Sequence, residues 1–211
     1  MAIEKLLHLI PMTRVLICFI FFISNLFASD NERFASLIDN MKTLSGDFEQ
    51  VVTDINGDLV QEVKGHFYFK KPNMFRWNYE EPYKNQIISD GELIYMYDPD
   101  LKQVILSALK KLGGVSPAML LVSSKAKEFF LIDTLKKDEK EWFRAIPKKV
   151  NESSFKQILI SFNNNQLREM QIQDNFDYVT NISFIDLKEN KTINDAFFLF
   201  NTPEGVDVIK N

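Results

Sequence analysis

Residues able to do covalent chemistry are sparse in this chain. Beyond residue 28 there is one histidine, His66, and no cysteine, Cys18 being the only one in the sequence. The patterns HExxH, CxxC and GxSxG and the phosphate-binding P-loop are absent. With a single imidazole and no thiol, transition-metal sites and nucleophile–base triads lack their usual members, so neither a metal nor a cofactor is expected. Carboxylates do occur in pairs, Glu80/Glu81 and Asp98/Asp100, but each pair flanks a proline at a turn, where such charge is ordinarily solvated. His66 falls in a strand-like run and reads as solvent-facing beside Tyr68. The concentrated signal is aromatic. Between Lys64 and Pro82 six aromatic residues flank a Pro72-Asn73 turn. Strand alternation puts Phe67 and Phe69 on one face, and Phe75, Trp77 and Tyr79 on one face across the turn. Side chains of this kind fill a core or line an apolar cavity.

The elements that position this aromatic wall follow from periodicity. Phe34, Leu37, Ile38 and Met41 recur with helical spacing, and Ser29-Asp30-Asn31-Glu32 reads as a capping box in front of them. From Asp47 to Ser107 the chain reads as successive strands. They are separated by the turn signals Asn56-Gly57, Pro72-Asn73, Asp90-Gly91 and Asp98-Pro99. Gly113-Gly114 interrupts the series, and Ser116-Pro117 opens a helix through Ala118-Met119-Leu120-Leu121-Val122. That helix is apolar nearly all round, so it is expected to be buried or to cover something apolar. Strands resume from Leu131, with a turn at Asn163-Asn164-Asn165 and a short, very apolar strand at Phe197-Phe198-Leu199-Phe200. Roughly ten antiparallel strands with one leading helix and one helical insert predict a curled sheet. Helices over its concave face would enclose an apolar interior.

The first residues address the chain. An unbroken apolar run at 15–23 follows Arg14 and ends in Ser24-Asn25-Leu26-Phe27-Ala28. It is shorter than the roughly 20 residues that span a bilayer, and it reads as a cleavable signal peptide over residues 1–28. Residues 29–211 then form one domain, and an exported chain without disulfides fits a bacterial periplasm. The net charge of −4, with no basic block, argues against nucleic acid as a partner.

The motifs, taken in order, resemble the LolA family of periplasmic outer-membrane lipoprotein carriers. Phe48-Glu49-Gln50 is similar to the family's early F-x-Q, and Lys70-Lys71-Pro72-Asn73-Met74-Phe75-Arg76-Trp77 to its K-[RK]-P-x-x-[FL]-x-W core. Pro82 and Ser89-Asp90-Gly91 follow at matching spacing. Asp98-Pro99-Asp100-Leu101-Lys102-Gln103 resembles the family's Y-[DN]-P-x-x-x-Q turn, and Ser116-Pro117-Ala118-Met119-Leu120-Leu121 its central lid helix. Phe200, Pro203, Gly205 and Val206 close the match.

The resemblance implies an incomplete, half-open antiparallel β-barrel with an α-helical lid over a hydrophobic cavity. It implies a monomeric chaperone and not an enzyme. Its cargo would be acylated lipoproteins, received from an inner-membrane ABC transporter of the LolCDE type and passed towards a LolB-type receptor at the outer membrane. Phe67, Phe69, Phe75, Trp77, Met119, Leu120, Leu121 and Phe198 are then expected at the acyl-chain cavity. Lys71 occupies the position of a family arginine that bonds to the lid helix, and Arg76 is the alternative for that contact. Two other readings of the same fold stand beside this one: a binding module for other lipids or glycolipids, and a regulatory sensor.

Overall fold

The computed structural model describes residues 29–109, 119–123 and 126–210. The expected leader at 1–28, Gly113-Gly114 and the Ser116-Pro117 helix start lie outside the described residues.

Helix α1 (Asp30–Asn40) begins as the sequence predicts: the Glu32 amide donates to Ser29 Oγ at 3.3 Å, and the Ser29 amide donates to the Glu32 carboxylate at 3.0 Å. Its stripe buries Phe34 and Ile38, and Met41 just beyond it is buried as well. Six strands follow: β1 (Thr43–Thr53), β2 (Leu59–Lys70), β3 (Met74–Glu81), β4 (Asn85–Asp90), β5 (Leu93–Asp98) and β6 (Gln103–Ala108). Short helices α2 (Met119–Val122) and α3 (Ala126–Phe129) lead to β7 (Phe130–Lys137), β8 (Lys140–Pro147), β9 (Phe155–Asn163), β10 (Gln166–Asp174) and β11 (Val179–Glu189). A final β12 spans Asp207–Lys210.

All twelve strands form one sheet, in the order β12-β6-β5-β4-β3-β2-β1-β11-β10-β9-β8-β7. Two meanders thus meet where β1 pairs with β11, and β7 and β12 are left as the two edges of an unclosed barrel. Helix α1 lies along the β7 edge. Asp30 there accepts from the Thr134 amide at 3.1 Å and from its hydroxyl at 3.0 Å, which satisfies part of an edge that no strand covers.

The hairpins have local causes. Asp54 accepts from the Asn56 and Asp58 amides at 2.8 and 2.9 Å, with Gly57 at φ 86°. Asn164 and Asn165 both adopt positive φ, which matches their turn between β9 and β10. Asp98 caps its own turn through the Asp100 and Leu101 amides, each at 3.0 Å, so this carboxylate is structural.

Two expectations are corrected at the C-terminal end. Phe197-Phe198-Leu199-Phe200 is not a strand: Asp195–Phe198 is a 3-10 turn, capped by Asn194, whose side chain accepts from the Ala196 amide at 2.9 Å. The turn lies on the convex face, where Phe198 is buried, Phe197 meets Tyr68, and Phe200 meets Tyr95 and Tyr97. The sheet is also not wholly antiparallel. The short, exposed β12 pairs in parallel with β6 and lacks the apolar alternation that announces a strand.

The main core lies on the concave face. α1 supplies Phe34 and Ile38, α2 supplies Leu120, Leu121 and Val122, and the strands supply Phe48, Phe67, Phe69, Phe75 and Phe184, among others. Backbones approach closely at Gly65, opposite Tyr79: a Cβ there would stand 1.9 Å from the Asn78 carbonyl oxygen and 2.9 Å from Phe48 Cε1. Because one contact is with backbone, β3 itself must move to admit a side chain. Gly65→Ala is therefore expected to destabilise the protein by about 3 kcal/mol. A urea titration checks this, and an unchanged midpoint would contradict the packing described.

Candidate functional site

The site is a cavity of about 260 Å³ on the concave face of the sheet. Its wall is built by strand alternation. β3 contributes Phe75, Trp77 and Tyr79; β2 contributes Phe69; β4 and β5 contribute Ile87, Ile94 and Met96; and β10 and β11 contribute Met170, Ile172 and Ile182. α2 adds Leu121 from above. Among the described residues that line it the polar ones are Gln50, Trp77, Tyr79 and Ser107, and none is charged. Such a surface favours apolar ligands and penalises ions.

Trp77 is the centre of the floor. Its ring lies 4.3 Å from Phe48, 5.6 Å from Phe67 and 5.9 Å from Phe69, centroid to centroid. Beside it, burial pushes the Tyr79 phenol up to about 12; nearby Tyr83 reinforces the shift and the Trp77 indole opposes it. The hydroxyl therefore stays neutral and keeps its proton at physiological pH. The raised value also sets a pH dependence. Stability held in full below about pH 10 should fall as pH rises from the ordinary tyrosine value of 10.0 towards 12, because the unfolded chain ionises first. Ultraviolet titration of Tyr79→Phe against the parent is expected to remove one late-titrating phenol. Loss of an ordinary one would contradict this placement.

The lid helix α2 meets the β2–β3 turn. The Asn73 amide, in the β2–β3 turn, donates to the Val122 carbonyl at 3.3 Å. Leu120 and Val122 are fully buried, and Leu121 nearly so. Lys71 anchors α1, donating to the Ile38 carbonyl at 2.7 Å and pairing with Asp39 at 3.2 Å. Burial lowers the Lys71 pKa, and the Asp39 carboxylate opposes this.

Of the residues singled out in the sequence, Phe69, Phe75, Trp77 and Leu121 line the cavity. Phe67 and Leu120 are fully buried in the adjoining core. Met119 opens α2, and its side chain lies outside the described part of the structure. Phe198 is corrected: it packs on the opposite, convex face, because its segment forms a turn and not an inward-facing strand. Arg76 is corrected as well. Alternation along β3 turns it outward, where it donates to the Leu199 carbonyl at 3.4 Å and lies 5.0 Å over the Phe197 ring. Lys71 does bond to a helix, but to α1 and not, among the described residues, to α2. His66 is on the outer face, bridging Asp47 at 2.5 Å and Glu80 at 3.3 Å as a link across β1, β2 and β3. Among the described residues no cluster of histidine, cysteine and carboxylate side chains is arranged to hold a metal.

Residues from β4, β5, β10 and β11 escaped notice in the sequence. Met170 and Ile172 do alternate with polar neighbours in the sequence. Their convergence with β3, however, depends on the pairing of β1 with β11, which joins segments more than a hundred residues apart.

The family described as "Outer membrane lipoprotein carrier protein LolA" matches residues 39–201. The chain belongs to the LolA family. Two LolA-family relatives carry the name outer-membrane lipoprotein carrier protein. One, from Methylobacillus flagellatus, is 38% identical over 180 residues, covering 84% of this chain and 87% of that protein. The other, from Nitrosospira multiformis, is 37% identical over 198 residues, covering 92% and 95%. Among solved structures, an uncharacterized conserved protein from Thermus thermophilus aligns with TM-score 0.54 at 10% identity, over 86% of this chain and 99% of its own. A LolA superfamily protein from Nitrosomonas europaea aligns with TM-score 0.50 at 10% identity, over 82% and 99%. At these identities the structural likenesses establish the LolA fold alone.

Proposed function

We propose that this protein is a periplasmic chaperone that shields the acyl chains of lipoproteins on their way to the outer membrane. The observation that carries this reading is the apolar cavity under α2, whose described lining residues carry no charge. Each methylene moved from water into such a site contributes about 0.8 kcal/mol, so a lipid anchor is insoluble in the periplasm unless enclosed. At about 260 Å³ the cavity is below the roughly 300–1,000 Å³ of ordinary small-molecule pockets. A multiply acylated anchor therefore enters only when α2 lifts. A short roof that packs through apolar side chains and meets the β2–β3 turn at the Asn73–Val122 backbone hydrogen bond suits that motion and the later release of cargo.

In this reading residues 1–28 are a cleaved export signal, residues 29–211 are the carrier domain, and no covalent step is catalysed. The cargo is handed over by an inner-membrane ABC transporter of the LolCDE type and given up to a LolB-type receptor or to the outer membrane itself. Depletion in the native host tests the reading. Lipoproteins destined for the outer membrane should accumulate in the inner-membrane fraction. Correct sorting in depleted cells, with only gene expression altered, would overturn it in favour of a regulatory sensor.

A further inference from the structure

Deepening the carrier reading, and resting on it, we propose that the end of the barrel away from α2 seats on a neutral phospholipid bilayer, with the hairpin tips of Ile55 and Phe176 entering the headgroup layer. Strand order puts the connections 54–58, 82–84, 99–102, 148–154 and 175–178 at that end. Each holds out an exposed apolar side chain: Ile55, Tyr83, Leu101, Val150 and Phe176 in turn. The turns at the opposite end, 71–73, 91–92, 138–139 and 164–165, carry no exposed large apolar side chain. Single apolar residues scattered over a surface are ordinary, but these are sorted to one end of the molecule.

Two neighbouring tips are built alike. Because β1 pairs with β11, the loops 54–58 and 175–178 lie side by side. Asp54 Oδ1 accepts from the Asn56 and Asp58 amides, and Asp174 Oδ1 accepts from the Phe176 and Tyr178 amides at 2.8 and 2.9 Å. The Gly57 amide donates to the Asp54 carbonyl, and the Asp177 amide to the Asp174 carbonyl. Most amides of each tip thus have partners inside their own loop. Few lose a hydrogen bond to water when the tip enters a layer of lower dielectric. The same bonds hold each loop in one shape, so little further ordering is needed on docking. Ile55 is 70% exposed and Phe176 80% on these fixed supports.

Charge and placement select the surface. The five connections hold four lysines against five carboxylates, so their charges nearly cancel. Lys149 pairs with Glu152 at 2.9 Å, and Lys156 on β9 pairs with Asp177 at 2.6 Å. Anionic lipid gains little from such an end, whereas zwitterionic headgroups accept it. The apolar side chains stand on separate loops, and a soft apolar layer can receive them together without a pocket shaped for each. The cavity wall also reaches solvent on this side. Met96, an inward residue near the end of β5, both lines the cavity and is exposed. α2 meets the opposite end, at the Asn73–Val122 contact. Seating the tips therefore brings the open side of the cavity to the membrane with which acyl chains are exchanged.

The test uses the full mature protein carrying Phe176→Trp, with vesicles of phosphatidylcholine. Emission of the added indole is read against the parent, in which Trp77 and Trp142 supply the background. The expected result is a blue shift on the vesicles that brominated lipid quenches. Added salt should not abolish it, and phosphatidylglycerol should not enhance it. Ile55→Asp/Phe176→Asp should lower vesicle affinity at least tenfold in co-sedimentation, while a fatty acyl probe still binds its cavity. Absence of a shift, with the acyl probe bound, would overturn the bilayer seat and leave the carrier reading in place. Absence of both shift and probe binding would overturn the two together. A shift that requires phosphatidylglycerol and vanishes in salt would also overturn the seat, as would one seen only when the vesicles hold the transporter, which would assign the tips to a protein partner.

Discussion

Trp77→Ala is expected to be the most damaging single substitution in the β2–β3 wall. The indole is in ring contact with Phe48, Phe67 and Phe69 at once, and it also forms the cavity floor. Truncating a large aromatic side chain in a core costs about 3–5 kcal/mol. Against a total stability of about 5–15 kcal/mol for an ordinary domain, that is a large share. The thermal midpoint should fall by about 10 °C. Trp77→Phe keeps a ring in the stack and should lose about a third as much. Calorimetry on the three proteins checks the ranking. If alanine and phenylalanine lowered the midpoint equally, ring packing would not be what holds the wall.

The second large effect is on cargo. Leu121→Glu puts a carboxylate where α2 meets the cavity. Closing the lid would then bury a charge among described lining residues that offer no cation, so α2 stays raised or the ligand is excluded. Affinity for a fatty acyl probe should drop by at least tenfold. The body of the sheet should unfold nearly as before, because its strand pairing does not pass through α2. Leu121→Met conserves volume and polarity and should bind within about twofold of the parent. Strong probe binding by the glutamate variant would contradict the role given to α2.

Much of this was legible in the sequence, because local rules dominate where they apply. Asn56-Gly57, Asp90-Gly91 and the Asn163-Asn164-Asn165 run each mark a turn through backbone conformations that few residues accept. Alternation put Phe67 with Phe69, and Phe75 with Trp77 and Tyr79, each set on one face, and Phe69, Phe75, Trp77 and Tyr79 share the cavity wall. Local rules failed where tertiary contacts decide. Phe198 looked like a core strand residue because it is apolar. Asn194 instead caps a turn that packs Phe198 against the outside of the sheet. Arg76 is one residue from Phe75 and from Trp77, and period-two alternation sends it to the opposite face from both. Gln50 was visible only as part of a motif, since nothing local says that an amide points into an apolar cavity. Ile172 and Ile182 became wall residues through the pairing of β1 with β11, a long-range choice that no short window contains.

The most direct test of the carrier reading is to add the purified mature protein to inner-membrane vesicles that hold a radiolabelled, acylated lipoprotein and its ABC transporter, with ATP present. The expected result is a soluble one-to-one complex of protein and lipoprotein in the supernatant, formed by the parent and not by Leu121→Glu. A lipoprotein that stays with the vesicles in both cases, while the protein extracts only free phospholipid, would contradict it.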